Sequence, residues 1–281
     1  MTEFQNKFDK ECIEAFKPDS KIGLISTISP EGYPHVALIS SIGAKDEETL
    51  IWGQFSQGLS KKYLATNTKT GWLVLFADMN WYTGKAEWQS VLRGGPEYDE
   101  YNSHPMFRYN SYFGIARVHY SRLVDSSKKQ KLPMLGIGIS SVQSVLIAKK
   151  LKAAPEGIIP EFTKKIANKI DGLEFIAYVD TDGYPRIFPA LQGRPAGGNK
   201  LVFSTGLYPE LCQGVPEGAK ACIYLTGLDL AGQMLQGTFS LQKKGNKTTA
   251  LIFNADKVYN PMLPVPGYIY PQEPLKATFG E

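Results

Sequence analysis

In the stretch "TLIWGQFSQGLSKKYLATNTKTGWLVLFADMNWYTGKAEWQ", residues 49 to 89, a hydroxyl and two cations fall together as Ser60-Lys61-Lys62. They follow a strand-like run ending at Trp52-Gly53-Gln54 and a loop containing Gly58, so they sit where a helix should begin. The first N–H groups of a helix have no partner within it and carry the positive end of its dipole. A hydroxyl, two ammonium groups and those N–H groups together suit a phosphate. A plainer reading stands beside this one: Ser60 caps the helix and the lysines are solvated surface.

Other chemistries find little support. His35, His104 and His119 are widely separated and lack spacing of the HExxH kind, so no metal site is expected. Cys12, Cys212 and Cys222 form no CxxC pair, and their odd number argues for free thiols rather than a disulfide framework. There is no Walker loop, no GxSxG and no GxGxxG after a strand; "LGIGISS", from Leu135 to Ser141, spaces its glycines wrongly for a dinucleotide fingerprint. The tyrosines and Arg108 of "RGGPEYDEYNSHPMFRYNSYFG", residues 93 to 114, read first as packing groups of a short helix and loop.

The elements that must position Ser60-Lys61-Lys62 belong to a folded chain. Its 281 residues are 43% hydrophobic, 21% charged and 12% aromatic, which is enough apolar material for one large or two ordinary domains. A formal charge of +4 is small for this length and gives nucleic acid no electrostatic footprint. The apolar runs are strand-sized, well short of the roughly 20 residues a spanning helix needs, so no membrane partner is expected. The opening "MTEFQNKFDKECIEAF" reads as an amphipathic helix rather than a signal peptide, and a cytoplasmic location is expected.

Alternation and β-branched or aromatic enrichment mark strands near 22–28, 33–42, 49–53, 72–77, 85–92 and 111–119. The same order recurs near 173–180, 184–191, 200–204, 219–226, 233–242 and 248–259, each set following a helix, the second at about 160–170. Gly32-Tyr33-Pro34 in the first set matches Gly183-Tyr184-Pro185 in the second. We read this as an internal duplication. Six short strands after a helix suit a small closed antiparallel barrel, because closure removes exposed edges. The expected fold is therefore mainly β with flanking helices: two tandem split β-barrels forming a pseudo-dimer. The domains are expected at 1–126 and 160–281, with a linker and packing helix over 127–159, helical from about Ser141 to Lys152.

Gly32-Tyr33-Pro34, then Ile51-Trp52-Gly53-Gln54 with Ser60-Lys61-Lys62, then Leu73-Val74-Leu75-Phe76 occur in an order that resembles the pyridoxamine 5′-phosphate oxidase-like, FMN-binding split-barrel superfamily. The resemblance is best over residues 20–92 and fainter over 172–260. It implies that Ser60, Lys61 and Lys62 hold the FMN phosphate, with Gln54 near the flavin and Ile39 and Ser40 along its ring edge. Lys85, where the family often has Arg, would add phosphate or ribityl contacts. A structural or surface role is the first reading of all three histidines, but His35 follows Gly32-Tyr33-Pro34 on a strand close to the expected flavin, within reach of a hydrogen bond to it. In the family the ring lies between two barrels, which makes Tyr184, Phe203 and Tyr208 candidates to cover it.

Departures from the pattern shape the functional expectation. No Ser-Lys-Lys follows the strand in "VFSTGLYPELCQGVPEGAKACIYL", and Glu210 adds negative charge, so the second copy is expected to lack a phosphate site. Trp88 stands where the family commonly has Gly, and its bulk would alter the ligand space. No His follows His119 and no Arg-x-His closes the chain, which disfavours both vitamin B6 oxidation and haem handling. The resemblance implies a flavin-dependent oxidoreductase that exchanges electrons with a small-molecule donor or acceptor. A non-catalytic electron carrier, an F420 binder and a cofactor-free barrel remain the alternatives. A monomeric pseudo-dimer and a homodimer both fit.

Overall fold

A computed structural model describes residues 3–17, 20–56, 58–104, 114–151, 153–169, 171–227, 232–262 and 266–272. With 46% strand and 20% helix, the chain is mainly β with flanking helices, in two separate antiparallel sheets. It divides into two compact units. The first comprises Met1–Glu31, His35–Leu132 and Gly183–Ile187; the second comprises Gly32–Pro34, Pro133–Asp182 and Phe188–Glu281. The segment read as linker and packing helix thus counts with the second unit from Pro133 onward.

The first sheet draws on β1 (Phe4–Gln5), β2 (Lys21–Ile28), β3 (Pro34–Leu38), β4 (Gly43–Ala44), β5 (Thr49–Gln54), β6 (Lys69–Phe76), β7 (Asn80–Leu92), β8 (Arg117–Ser127) and β9 (Gln130–Lys131). Among the described residues three helices accompany it: α1 (Lys10–Ala15), α2 (Leu59–Leu64) and α3 (Pro96–Ser103). The strand order is β3-β2-β6-β7-β8-β5-β4, with β1 on β8 and β9 on β7. Its two ends, β3 and β4, are consecutive in the chain, and residues 39–42 join them. There Ser41 Oγ accepts the Gly53 N–H at 3.0 Å and donates to the Gly53 carbonyl at 2.9 Å, making with one side chain the two bonds a continuing strand would make with its backbone. The sheet closes on itself around a core that includes Phe8, Trp52, Leu64, Trp72 and Tyr82.

The second unit holds α4 (Met134–Lys150), α5 (Glu161–Asn168), α6 (Pro209–Gln213) and a sheet of eight strands. These are β10 (Leu173–Val179), β11 (Pro185–Pro189), β12 (Arg194–Ala196), β13 (Lys200–Ser204), β14 (Lys220–Thr226), β15 (Gly232–Lys244), β16 (Lys247–Asn260) and β17 (Gly267–Tyr270). The order β11-β10-β14-β15-β16-β13-β12 repeats that of the first sheet. Registers repeat as well. Ile22 pairs with Leu75 as Leu173 pairs with Thr226; Lys69 with Glu87 as Lys220 with Thr238; Gly43 with Ile51 as Arg194 with Val202. Each equivalent pair lies 151 positions apart, the spacing from Gly32 to Gly183. The bulge between Lys85 and Ala86 returns between Gln236 and Gly237. After β7 the spacing falls to 132, as from Arg122 to Asn254, because the first copy has a longer segment, including α3, where the second turns tightly at Gly245. Shared register establishes the duplication.

Two local differences show how the copies kept that register. A side chain on Gly23 would collide with Ile42, and one on Gly193 with Glu174. These are equivalent positions, so one copy has a glycine facing an isoleucine and the other a glutamate facing a glycine. The outer face of the closing strands is also covered differently. In the first unit Ile51, Ile115 and Val118 pack with Tyr98 and Tyr101 of α3. In the second, Ala196, Val202 and Ala250 pack with Ile147, Ala148 and Leu151 from α4 and its end.

Some elements differ from the sequence-based expectation. β8 begins at Arg117 and runs to Ser127 rather than ending at His119; residues 111–113 lie outside the described residues. Its buried positions include Ser121, Ser126 and Ser127, so apolar alternation fades where the strand continues. α4 starts at Met134 despite Gly136 and Gly138. The N-terminal helix starts only at Lys10, where Asp9 Oδ1 accepts the Cys12 N–H at 2.7 Å as an N-cap. Arg108 lies outside the described residues. Among the described residues no helix is long and apolar enough to cross a membrane, and the three cysteines are buried and not joined in a disulfide.

Candidate functional site

The cation-bearing helix α2 is short and needs an anchor, which Leu64 provides by entering the core of the first unit. Gly58 is the N-cap, with extended backbone and no side-chain cap bond, so the helix starts at Leu59 and Ser60 is its second residue rather than its cap. That leaves the first-turn N–H groups without a capping side chain. Ser60 is buried, Lys61 is half-buried and Lys62 is exposed.

Lys61 turns back over the barrel. Its Nζ lies 5.7 Å from the centre of the Trp52 ring and 3.9 Å from where a Gly58 side chain would begin. Among the described residues no carboxylate pairs with it, and burial alone lowers its pKa to about 8. An ammonium held this way lacks a counter-charge.

Beneath Lys61 a hydrogen-bonded aromatic stack fixes its own protonation. Trp52 on β5 and His119 on β8 are register partners, and their rings stack at 3.7 Å and 4°. Trp88 Nε1, which can only donate, gives its proton to His119 Nδ1 at 3.1 Å. His119 Nε2 must then carry the ring proton, and it donates to Gln54 Oε1 at 2.9 Å. The amide of Gln54 is thereby oriented, its oxygen toward His119. Burial, then the charges of Lys61 and Arg117, push the His119 pKa down to about 3, so the ring is neutral at neutral pH. His35, buried on β3, meets Tyr63 of α2 edge-on with centres 5.4 Å apart, and burial with the Lys61 charge lowers its pKa to about 3.

The structure therefore brings Gln54, Lys61 and His35 into one neighbourhood around Trp52. It places the other sequence-derived candidates elsewhere. Ile39 is a core residue whose N–H donates to the Gly23 carbonyl at 2.7 Å, and Ser40 is half-buried beyond the end of β3. Lys85 is buried on the face of β7 opposite Tyr82 and Ala86, where its N–H donates to Asp125 Oδ1 at 2.9 Å. His119 and the donor role of Trp88 were missed from sequence: the strand carrying His119 was placed too early, so its register against Trp52 had no signal.

The equivalent place in the second unit has become core. Phe203 stands for Trp52 and pairs with Leu251 where Trp52 pairs with His119. Phe239 stands for Trp88 and meets Phe203 edge-on at 6.4 Å. Thr205 replaces Gln54 and donates to the Thr248 carbonyl at 2.8 Å. Leu211, Cys212 and Gln213 replace Ser60-Lys61-Lys62; the first two are buried, and Gln213 bonds both backbone groups of Thr248. Among the described residues the second unit has no counterpart of Lys61 and Lys62 at these positions.

Fold and register define a tandem split-barrel protein. Neither a family model nor a curated protein matches the chain. Solved structures similar to it include an FMN-binding protein from Syntrophomonas wolfei subsp. wolfei, at 19% identity over 44% of this chain and 84% of that one, with a TM-score of 0.36. Others are a putative pyridoxamine 5′-phosphate oxidase from Lactobacillus delbrueckii (18% identity, 43% and 94% covered, TM-score 0.33) and an F420 reductase (16%, 41% and 94%, TM-score 0.33).

Proposed function

We propose that the chain is a flavoprotein that binds one FMN in its first unit, with the phosphate at Ser60, Lys61 and Lys62 and the flavin near Gln54, and that it acts as a flavin-dependent oxidoreductase on a small molecule. The observation that carries this reading is Lys61: a partly buried ammonium with no carboxylate partner among the described residues, beside a helix start whose N-cap makes no side-chain bond. Placing a cation there costs free energy that a phosphate dianion would recover. When bound, FMN supplies the hydride or electron chemistry.

The chain's own groups bind and orient. Lys61 and the first-turn N–H groups of α2 meet phosphate oxygens, and Lys62 adds long-range attraction from the surface. Gln54, its amide direction set by His119 and Trp88, turns its NH₂ away from His119 and offers it to an acceptor atom. His119 and His35 are uncharged at neutral pH, so neither adds a cation to the site.

The test is a titration with FMN and with riboflavin, which lacks the phosphate, followed by flavin fluorescence. Each charge-assisted phosphate contact is worth about 1.5–3 kcal/mol, so FMN should bind at least tenfold tighter than riboflavin, and that ratio should collapse in K61A/K62A. Equal affinity for both ligands in the wild type overturns the phosphate assignment, and no binding of either overturns the flavin reading. Turnover with NAD(P)H and an acceptor separates an enzyme from an electron carrier.

A further inference from the structure

Helix α4 packs Ile147 and Ala148 on the strands of the second unit but turns a longer apolar stripe outward. Its buried positions are Ser140 and Ser144: the Ser140 carbonyl accepts Ser204 Oγ–H at 2.9 Å and Ser144 Oγ accepts the Ser204 N–H at 2.9 Å. Facing outward are Leu135, Ile139, Val142 and Leu146, which are 87%, 63%, 61% and 54% exposed, with Met134 at 60% beside them. A helix packed on a sheet normally turns its apolar stripe toward the sheet. Contiguous exposed apolar surface on this scale marks an interaction site.

The spacing of the stripe says what kind. Positions 135, 139, 142 and 146 advance by four, three and four residues, the seam of a two-helix coiled coil. Gly138, exposed within the stripe, lets a second backbone approach closely. We propose that this face is the interface between two copies of the chain, α4 packing antiparallel on the partner's α4 across a two-fold axis.

Charge and area support that occupant. Cations on α4 are confined to Lys149 and Lys150 in its last turn. A parallel pair would set these lysines side by side, whereas an antiparallel pair puts them at opposite ends. A helix lying on a membrane surface would instead carry Lys and Arg along the flanks of its apolar stripe. At the exposures above, the five side chains offer about 500 Å² per copy, so a two-fold pair buries about 1,000 Å², the lower bound for a specific interface. The stripe is self-complementary, as an isologous contact requires.

Sedimentation velocity of the full chain across the micromolar range tests the proposal. The wild type is expected as a dimer, and I139E/L146E as a monomer with unchanged far-ultraviolet circular dichroism. Because these side chains are exposed, the substitutions should leave the fold intact. Orientation is read by cross-linking. When I139C and V142C proteins are mixed and mildly oxidised, the antiparallel pair joins position 139 of one copy to 142 of the other; the native cysteines are buried and stay silent. A wild type that stays monomeric overturns the proposal, whether or not it binds phosphatidylglycerol vesicles. So does a dimer that survives I139E/L146E, or one whose only links join like positions.

Discussion

Replacing Lys61 with methionine should stabilise the ligand-free protein while removing phosphate recognition. The Lys61 pKa falls from 10.5 to about 8 because the ammonium is desolvated without a partner. At about 1.4 kcal/mol per pKa unit, a fall of this size is about 3 kcal/mol against the charged form. Partial exposure reduces that cost, and the loss of the cation–π contact with Trp52 removes about 0.5–1 kcal/mol of compensation. The expected net gain for K61M at pH 7 is about 1–2 kcal/mol. Its pH dependence has a definite sign. Between pH 8 and 10.5 the unfolded chain binds the proton more than the folded one does, so wild-type stability rises with pH and the advantage of K61M shrinks toward zero. Urea unfolding followed by tryptophan fluorescence measures this in the right place, since all four tryptophans lie in the first unit. A K61M protein less stable than wild type at pH 7, or one that keeps the preference for FMN over riboflavin, would refute the reasoning.

Three further outcomes follow from hydrogen bonds and burial. Ser41→Ala leaves the Gly53 N–H and carbonyl without their buried partner, and should cost the first unit about 2–4 kcal/mol by the same urea assay; a loss below about 1 kcal/mol would mean water replaces the hydroxyl. Nitrogen NMR at pH 7 should find His119 neutral and protonated at Nε2, and Trp88→Phe should release that tautomer; an Nδ1-protonated wild type contradicts the relay through Trp88. Glu174, fully buried, has its pKa raised to about 8 by desolvation. Its folded form therefore binds the proton more than the unfolded one between pH 4.5 and 8, and stability of the second unit falls as pH rises through that window. Glu174→Gln should remove the fall, by a few kcal/mol at pH 8; calorimetry showing parallel pH profiles for the two proteins would count against it.

The parts of the fold legible in the sequence were those written in apolar alternation. β2, β5, β10, β13 and β14 fell within a residue or two of their expected ends, because each is a short run of β-branched or aromatic residues. β8 was not legible past His119, since three of its buried positions there are Ser121, Ser126 and Ser127, which leave no hydrophobic signature. α4 was hidden at its start by two glycines and by an apolar face turned outward. At the site, the Ser60-Lys61-Lys62 run was visible as chemistry. His119 was not, because its role depends on which residue faces Trp52 across the sheet, and register is a property of the whole barrel.

The constant spacing between the two copies has an evolutionary meaning. From α1 through β7 every equivalent element sits 151 positions apart, so since the copies parted this stretch records no net gain or loss of a residue. Over the same stretch Trp52, Gln54, Lys61 and Trp88 in one copy stand where Phe203, Thr205, Cys212 and Phe239 stand in the other. A one-residue slip in a closed barrel turns a strand inside out, whereas a changed side chain disturbs only its neighbours. Side chains at equivalent positions were therefore free to diverge, while the number of residues between them was held. The second barrel keeps the register of the first without its side-chain chemistry, so substitutions at constant length would be enough to carry one copy toward the other.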